Sequence, residues 1–481
     1  MFEVITPSQM KELETLAFTS GMKSIDVMET AAECLVDELI KLVGGPSGKQ
    51  VLFFCGRGNN GGDGLAAARI FSSMGGRSYA VIQGKPKTKD ALFNFERLKK
   101  LDIPVSDKIP KDILFDGAVD ALLGIGLQGV LSDELTSAIR DLNQLDLKVL
   151  SVDVPSGMDA LTGNCLGACV RADKTLTFQY PKPGHFLTNH LDHIGELVIA
   201  DIGLGDYAGD FDLISSLQPD DLASCLPKRI ASAHKGSHGR VLLYCGSQGM
   251  AGAAAMAALG CMRAGAGLTY IACEESIIPI LQILAPNSEC LSLEKVLANP
   301  PAHDVFLAGC GLGQETDVWD NIKELYSNKV PAVLDADALN LLAANPIKLS
   351  QETVMTPHVG EAARLLGTNA RQVADNMLSS SLELAKRFCA AVILKSHCSV
   401  IRSDGKVSLN TLTAPVLAKG GSGDALAGII AGLMAQGLSP FDASRTASLW
   451  LSKAALMAQQ DGGLYSPLTG DILALMGKAS I

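Results

Sequence analysis

Gly420-Gly421-Ser422-Gly423-Asp424 runs directly into the apolar helical stretch Ala425–Met434, and this junction decides how the second half of the chain is read. Small residues at a helix start let bare backbone N–H groups converge on an anion, and the helix dipole adds partial positive charge there. Gly421, Ser422 and Gly423 are therefore the expected phosphate cradle. Asp424 stands one step into the turn, where a carboxylate can take a proton from an attacking hydroxyl. The plain alternative is a glycine-rich helix start with an acid in its first turn.

Working outward from that turn, short apolar runs alternate with helical patterns. Arg240–Cys245, Leu268–Cys273, Val305–Ala308, Ala332–Leu334, Thr353–Thr356 and Ala391–Leu394 read as strands. Ala251–Ala264, Val318–Tyr326, Leu382–Phe388, Ala425–Gln436 and Phe441–Gln459 read as helices. The first half has the same style. Helices are expected at Gln9–Phe18, Ile25–Val43, Leu65–Met74, Ala91–Leu101 and Leu135–Leu145. Strands are expected at Val51–Cys55, Tyr79–Gln83, Leu114–Leu122, Val149–Val154, Thr175–Phe178 and Leu197–Asp201. Such alternation implies α/β architecture, with mainly parallel sheets covered by helices. Residues 203–226 lack a strong period and hold Gly, Asp, Ser and Pro, so the boundary is placed near residue 225, giving domains 1–225 and 226–481.

Composition narrows the function. A chain of 481 residues suggests two or three domains at roughly 100–200 residues each. Hydrophobic residues make up 47%, enough for large cores. The net charge of −11, with no dense basic run, argues against nucleic acid as a partner. The opening MFEVITPSQMKELE has early acids and no apolar signal-peptide core. No apolar stretch reaches the roughly 18 to 20 residues of a spanning helix. A cytoplasmic protein without a membrane partner is expected. There are twelve cysteines and no CxxC spacing; Cys55, Cys245, Cys261 and Cys273 sit in apolar runs, so reduced buried thiols are expected rather than a zinc site.

A second glycine-rich turn, CGRGNNGGDG (55–64), lies between the strand VLFF and the helix LAAAR. Asn59, Asn60 and Asp63 add side-chain donors and oxygens to a backbone suited to an anion. Asp120 ends LFDGAVD before LLGIGLQG, and Asp153 ends VLSVDVPSG with Ser156 in the turn. Ligands collect at the carboxyl ends of parallel strands. Oxygens of Asn60, Asp120 and Ser156 would suit an alkali cation, leaving Asp153 for proton transfer. The alternative for each is a helix or turn cap.

CGRGNNGGDGLAAAR with VDALLGIGLQG and VDVPSG resembles the NAD(P)H-hydrate epimerase family over about residues 1–210. The resemblance implies that Asn59, Asn60, Gly61, Gly62, Asp63, Gly124, Ile125, Gly126, Leu127, Gln128, Gly129 and Val130 bind the hydrated nucleotide together with Asp153. It implies potassium on Asn60, Asp120 and Ser156, and Asp153 as the proton-transfer group. The expected architecture here is a Rossmann-like three-layer sandwich. The same domain also occurs as a non-catalytic scaffold; the intact NNGGD loop and Asp153 argue against that role.

In the second half, HKGSHGRVLLYCGS (234–247), MAGAAAMAALGCMRAGAGL (250–268), LAGCGLG (307–313), LDADALNLL (334–342), TPHVGEAARLL (356–366) and VILKSHCSVI (392–401) accompany the GGSGD turn. Together, over about residues 226–478, they resemble the ADP-dependent NAD(P)H-hydrate dehydratase family, which is ribokinase-like. The resemblance implies that Ala253, Gly313, His358 and Asp424 line the hydrate site, with Asp424 catalytic. It implies that Lys395, Ser396, His397, Cys398 and Ser399, with Gly423, hold ADP. Both halves together resemble a bifunctional hydrate-repair family. Mg2+ is expected on phosphate-chemistry grounds. The expected partners are hydrated NADH or NADPH and ADP, with self-association into a homo-oligomer. Two departures from the family pattern, Ser396 after Lys395 and Thr411-Leu412-Thr413-Ala414 after Asn410, fall near the nucleotide. The competing function is a vitamin or sugar kinase fused to a non-catalytic binding domain.

Overall fold

A computed structural model describes residues 1–127, 129–209, 213–326 and 330–481. Its contacts divide the chain into Glu3–Leu213 and a second unit of Ile214–Ile481 with Met1–Phe2. That division precedes the boundary expected near residue 225. The cause is Ile214–Ser216, a short strand in the supposed linker that pairs with Lys406–Asn410 through Ser215 and Ser408.

The first unit holds a seven-stranded sheet, ordered Val105–Ser106, Arg77–Ile82, Gln50–Cys55, Gly117–Ala121, Val149–Val152, Lys174–Phe178, Glu196–Ala200. Neighbouring strands are parallel throughout. Gln50–Cys55 lies centrally and is almost entirely buried, as continuous apolar runs in parallel sheets require. Strand order reverses between it and Gly117–Ala121, so their following loops diverge and leave a crevice. Gly56 opens one of these loops. A Cβ there would come within 1.8 Å of Leu122 O, so the approach of the two loops requires glycine. The helix expected from Leu65 starts earlier and spans Asn59–Ser73, because the NNGGD loop is itself the first helical turn.

The second unit's sheet runs Ile214–Ser216, Lys406–Asn410, Ser399–Ser403, Ala391–Leu394, Thr353–Met355, Ala332–Leu334, Val305–Ala308, Arg240–Tyr244, Leu268–Cys273, Glu289–Ser292. From Ala391–Leu394 to Glu289–Ser292 the pairing is parallel. Ser399–Ser403 and Lys406–Asn410 form an antiparallel hairpin absent from the expected strands. Asp404-Gly405, both at positive φ, is the turn signal that betrays it. Helix Ser422–Ala435 crosses Ala251–Ala264 at close range. A Cβ on Gly428 would meet Ala257 O at 2.0 Å, so glycine sets the approach of the helix that carries Asp424. Among the described residues no helix is long and apolar enough to cross a membrane.

Candidate functional sites

The crevice of the first unit encloses about 510 Å³ and is lined by Asn59, Asn60, Asp63, Gly124, Ile125, Gly126, Leu127 and Asp153, with Glu14 and Lys182 among the other walls. Gly61 and Gly62 do not line it: their Cα hydrogens point into Gly56 O and the Met28 side chain, where a Cβ would stand at 2.1 and 2.8 Å. Val130 is 90% exposed outside the cavity. Gly129 turns the loop at φ +73, also away from the lining. Gln128 lies outside the described residues.

Asp153 follows strand Val149–Val152 in a left-handed conformation (φ +64), a costly geometry for a non-glycine residue that surrounding contacts must hold. Its Oδ1 accepts from Lys182 Nζ at 2.6 Å and from Thr177 Oγ1 at 3.0 Å. Lys182 Nζ also donates to Thr177 Oγ1 and to Phe178 O. His185 Nε2 lies 2.9 Å from Asp153 O. Burial would raise the Asp153 carboxyl, but the Lys182 ammonium overrides it and holds the group below its usual value. Burial and the Asp153 charge push neighbouring Asp63 well up, and the same two causes raise Glu14. The crevice thus pairs an ionised carboxylate with two carboxyls biased towards the protonated form. Such separation of titratable groups marks acid/base sites. His185, buried beside Lys182, falls to about 4 and is neutral. Lys182 and His185 are not among the expected site residues. Their only sequence signal is a lysine between two prolines in YPKPGH, 29 residues from its partner.

Asp120 is fully buried behind the cavity lining. It accepts from Ser151 Oγ, Ser156 N, Ser156 Oγ and Leu122 N, all neutral donors. Burial raises its carboxyl against these hydrogen bonds. Ser156 Oγ also takes the Leu123 amide at 2.8 Å. Asn60 stands across Gly124, with its buried Nδ2 lacking a partner.

In the second unit Gly421 (φ +87) caps helix Ser422–Ala435, whose first amides have no intrahelical acceptor. Asp424 Oδ, Asp335 Oδ and Cys310 Sγ lie within 4.8 Å of one another. Lys395 Nζ donates to Asp335 Oδ1 at 2.8 Å, and Thr356 Oγ1 donates to the same oxygen at 2.6 Å. A Cβ on Gly423 would lie 3.3 Å from Lys395 Nζ, so the ammonium faces the cradle. Burial, then the Asp335 charge, raise Asp424 to about 6, with Cys310 and Lys395 opposing. Asp335 sits in the recognised LDADALNLL stretch, but its pairing with Lys395 spans 60 residues.

The remaining expected residues are placed as follows. Ala253 faces Gly311, where a Cβ would be 2.9 Å from its own. Gly313 N donates to Asp337 Oδ2 at 2.9 Å. His358 caps helix Val359–Leu366, its Nδ1 accepting from Gly360 N and Glu361 N, while its bridge to Lys395 sets it beside the ammonium's strand end. Ser396 to Ser399 turn back on themselves, Ser396 N donating to Ser399 Oγ at 3.5 Å and Cys398 being buried.

Comparison with known proteins agrees with this division. Residues 24–184 match the model for the YjeF-related protein N-terminus, and residues 241–475 match that for NAD(P)H-hydrate dehydratase. The chain is 34% identical over 503 aligned residues to the bifunctional NAD(P)H-hydrate repair enzyme of Moorella thermoacetica, covering 98% of this chain and 95% of that protein. It is also 34% identical to the corresponding Escherichia coli enzyme, over 90% of this chain and 85% of that one. Among solved structures, the ADP/ATP-dependent NAD(P)H-hydrate dehydratase of Bacillus subtilis, co-crystallised with ATP/Mg2+, is 28% identical with a TM-score of 0.52, covering 55% of this chain and 97% of that one. A ribokinase-like superfamily protein from Enterococcus faecalis is 26% identical with a TM-score of 0.51, covering 56% and 95%. The first unit is a Rossmann-like domain and the second has the ribokinase-like fold. With both halves matched and near full-length identity above 30%, the chain belongs to the family of bifunctional NAD(P)H-hydrate repair enzymes.

Proposed function

We propose that this protein restores hydrated NADH and NADPH, its first unit interconverting the R and S hydrates and its second dehydrating the S hydrate with conversion of ADP to AMP and phosphate. The observation that carries the reading is Asp424, raised to about 6 in the first turn of a helix whose Gly421 cap makes no side-chain hydrogen bond. The kinase-plus-scaffold alternative is not favoured, because the relatives that match both halves are named as repair enzymes.

In the second unit, a hydroxyl on the hydrated ring is a poor leaving group. Asp424 takes its proton and the oxygen attacks the β-phosphorus of ADP, breaking the bond to the AMP oxygen. The amides at Gly421 to Gly423 and the Lys395 ammonium meet the charge that grows on the phosphoryl oxygens. Phosphate then leaves with the C–O electron pair, a proton is lost from the adjacent ring carbon, and the double bond re-forms. Mg2+ in such sites is held by one or two carboxylates together with the substrate phosphates. Asp335 Oδ2 would hold it, since Lys395 and Thr356 both take Oδ1 and Oδ2 meets only the Cys310 thiol at 3.9 Å. Bound there, Mg2+ would neutralise phosphate charge.

In the first unit Asp153 is the proton-transfer group, with Lys182 holding it ionised and aimed into the cavity. A potassium ion would fit beside Asp120, whose buried charge meets only neutral donors, with Ser156 Oγ and the Asn60 Oδ1 that faces Gly124 supplying further oxygen. Its charge would offset that carboxylate and anchor the Ser156 turn.

The test mixes the protein with separated hydrate epimers and with ADP or ATP at equal concentration, following reduced-nicotinamide absorbance and quantifying AMP and ADP. Recovery with ADP yielding AMP supports the reading. ATP preference yielding ADP overturns the donor assignment alone. A stable phosphorylated product without absorbance recovery overturns the dehydratase.

A further inference from the structure

Outside the crevice lining, the first unit gathers Cys165, Cys169 and His193, whose ligand atoms all lie within 4.8 Å of one another. Nothing in the hydrate chemistry uses them. Cys165 lies on an isolated bridge to Met158, and Cys169 is buried four positions on. His193 ends the short turn Leu191–His193. Its Nδ1 is shielded from solvent without a hydrogen-bond partner, while its Nε2 stands 3.9 Å from Asp192 Oδ2. His190 and Asp192 lie within the same 4.8 Å reach of His193.

We infer that Cys165, Cys169 and His193 form a binding site for a thiophilic divalent cation such as Zn2+, with Nδ1 of His193 facing the metal and His190 or water completing a tetrahedron. A Cys-x3-Cys spacing with a later histidine falls within the usual range for zinc ligands. Zinc bonds of about 2.3 Å to sulfur and about 2.0 Å to imidazole hold donors roughly 3.3–3.8 Å apart, so only slight contraction is needed. The Asp192 carboxylate, 3.9 Å from Nε2, stands on the side where an outer partner would orient a metal-bound imidazole. Binding would release both thiol protons to solvent and leave two thiolates on the metal.

The site's location gives it a consequence. Val170 N donates to Ser156 O and Leu166 N to Gly157 O, each at 2.9 Å. Ala172 N donates to His193 O at 3.1 Å. A metal here would tie the 157–170 loop to the Leu191–His193 turn directly behind the Ser156 turn of the crevice.

The experiment titrates Co2+ into the reduced, metal-stripped full-length protein. One equivalent should develop the near-ultraviolet thiolate-to-cobalt band, which Zn2+ then displaces. The band should vanish in the Cys165→Ser/Cys169→Ser double variant and in His193→Ala, and persist in Cys34→Ser. Alkylation of the unaltered protein with and without Zn2+ needs no variant to fold: peptide mapping should find Cys165, the half-buried thiol of the pair, protected by the metal. No thiolate band, or protection and signal that follow Cys310 beside Asp335 and Asp424 instead, would overturn the assignment.

Discussion

Lys182 Nζ meets Asp153 Oδ1 at 2.6 Å with both side chains removed from water, and the same ammonium also bonds Thr177 Oγ1 and Phe178 O. The lysine therefore has its donors spent on one purpose, fixing a carboxylate at a left-handed backbone position. Thr177 and Phe178 end the next strand, so two adjacent strand ends and the YPKPGH loop converge on the Asp153 carboxylate.

Removing Lys182 strands that charge. Lys182→Met is expected to slow R–S interconversion on the order of 10²-fold or more. It should also cost about 3–5 kcal/mol of stability, as breaking one side of a buried ion pair does. Because Asp153 is held below its unfolded value, the pair stabilises above that value, and the benefit fades as acid protonates Asp153. The gap between the two proteins should be full at neutral pH and shrink in acid. Thermal unfolding across pH reads this directly, and Asp153→Leu with Lys182→Met should recover stability but not epimerisation.

Asp424→Asn should reduce dehydration on the order of 10²- to 10⁴-fold while leaving epimerisation intact. The active form is the carboxylate, so in the unaltered protein kcat/KM for dehydration should rise with pH through about 6 and level above it. Absorbance recovery from S hydrate measures the profile, and chromatography of the epimers measures the retained activity. A profile without an acid limb would remove Asp424 as the base.

The Asp335 charge is the second cause of the raised Asp424, after burial. Asp335→Asn should therefore move the acid limb to lower pH, and Lys395→Met, which removes an opposing charge, should move it higher. The positions of the two limbs separate this coupling from a general loss of rate.

Gly428→Ala tests the scaffold. The added Cβ would sit 2.0 Å from Ala257 O, so the two helices must part. A loss of about 1–3 kcal/mol is expected, read as a lower unfolding midpoint of the second unit. Dehydration should fall with it, since the displaced helix carries Asp424, whereas epimerisation should not.

Local patterns were legible in the chain alone. Continuous apolar runs such as Val51–Cys55 and Val305–Ala308 announce buried parallel strands, and glycine turns mark the NNGGD and GGSGD loops, because both depend on neighbours in sequence. The hairpin Ser399–Ser403/Lys406–Asn410 is not legible in this way, its polar residues weakening the strand signal despite Asp404-Gly405. What only the tertiary structure decided are pairings at long range: Lys182 on Asp153, Lys395 on Asp335, and His193 beside Cys165 and Cys169. Each side chain taken alone reads as a surface charge or a core thiol. Only folding of the parallel strands sets their ends side by side, and burial there then turns a contact between distant residues into a shifted proton affinity.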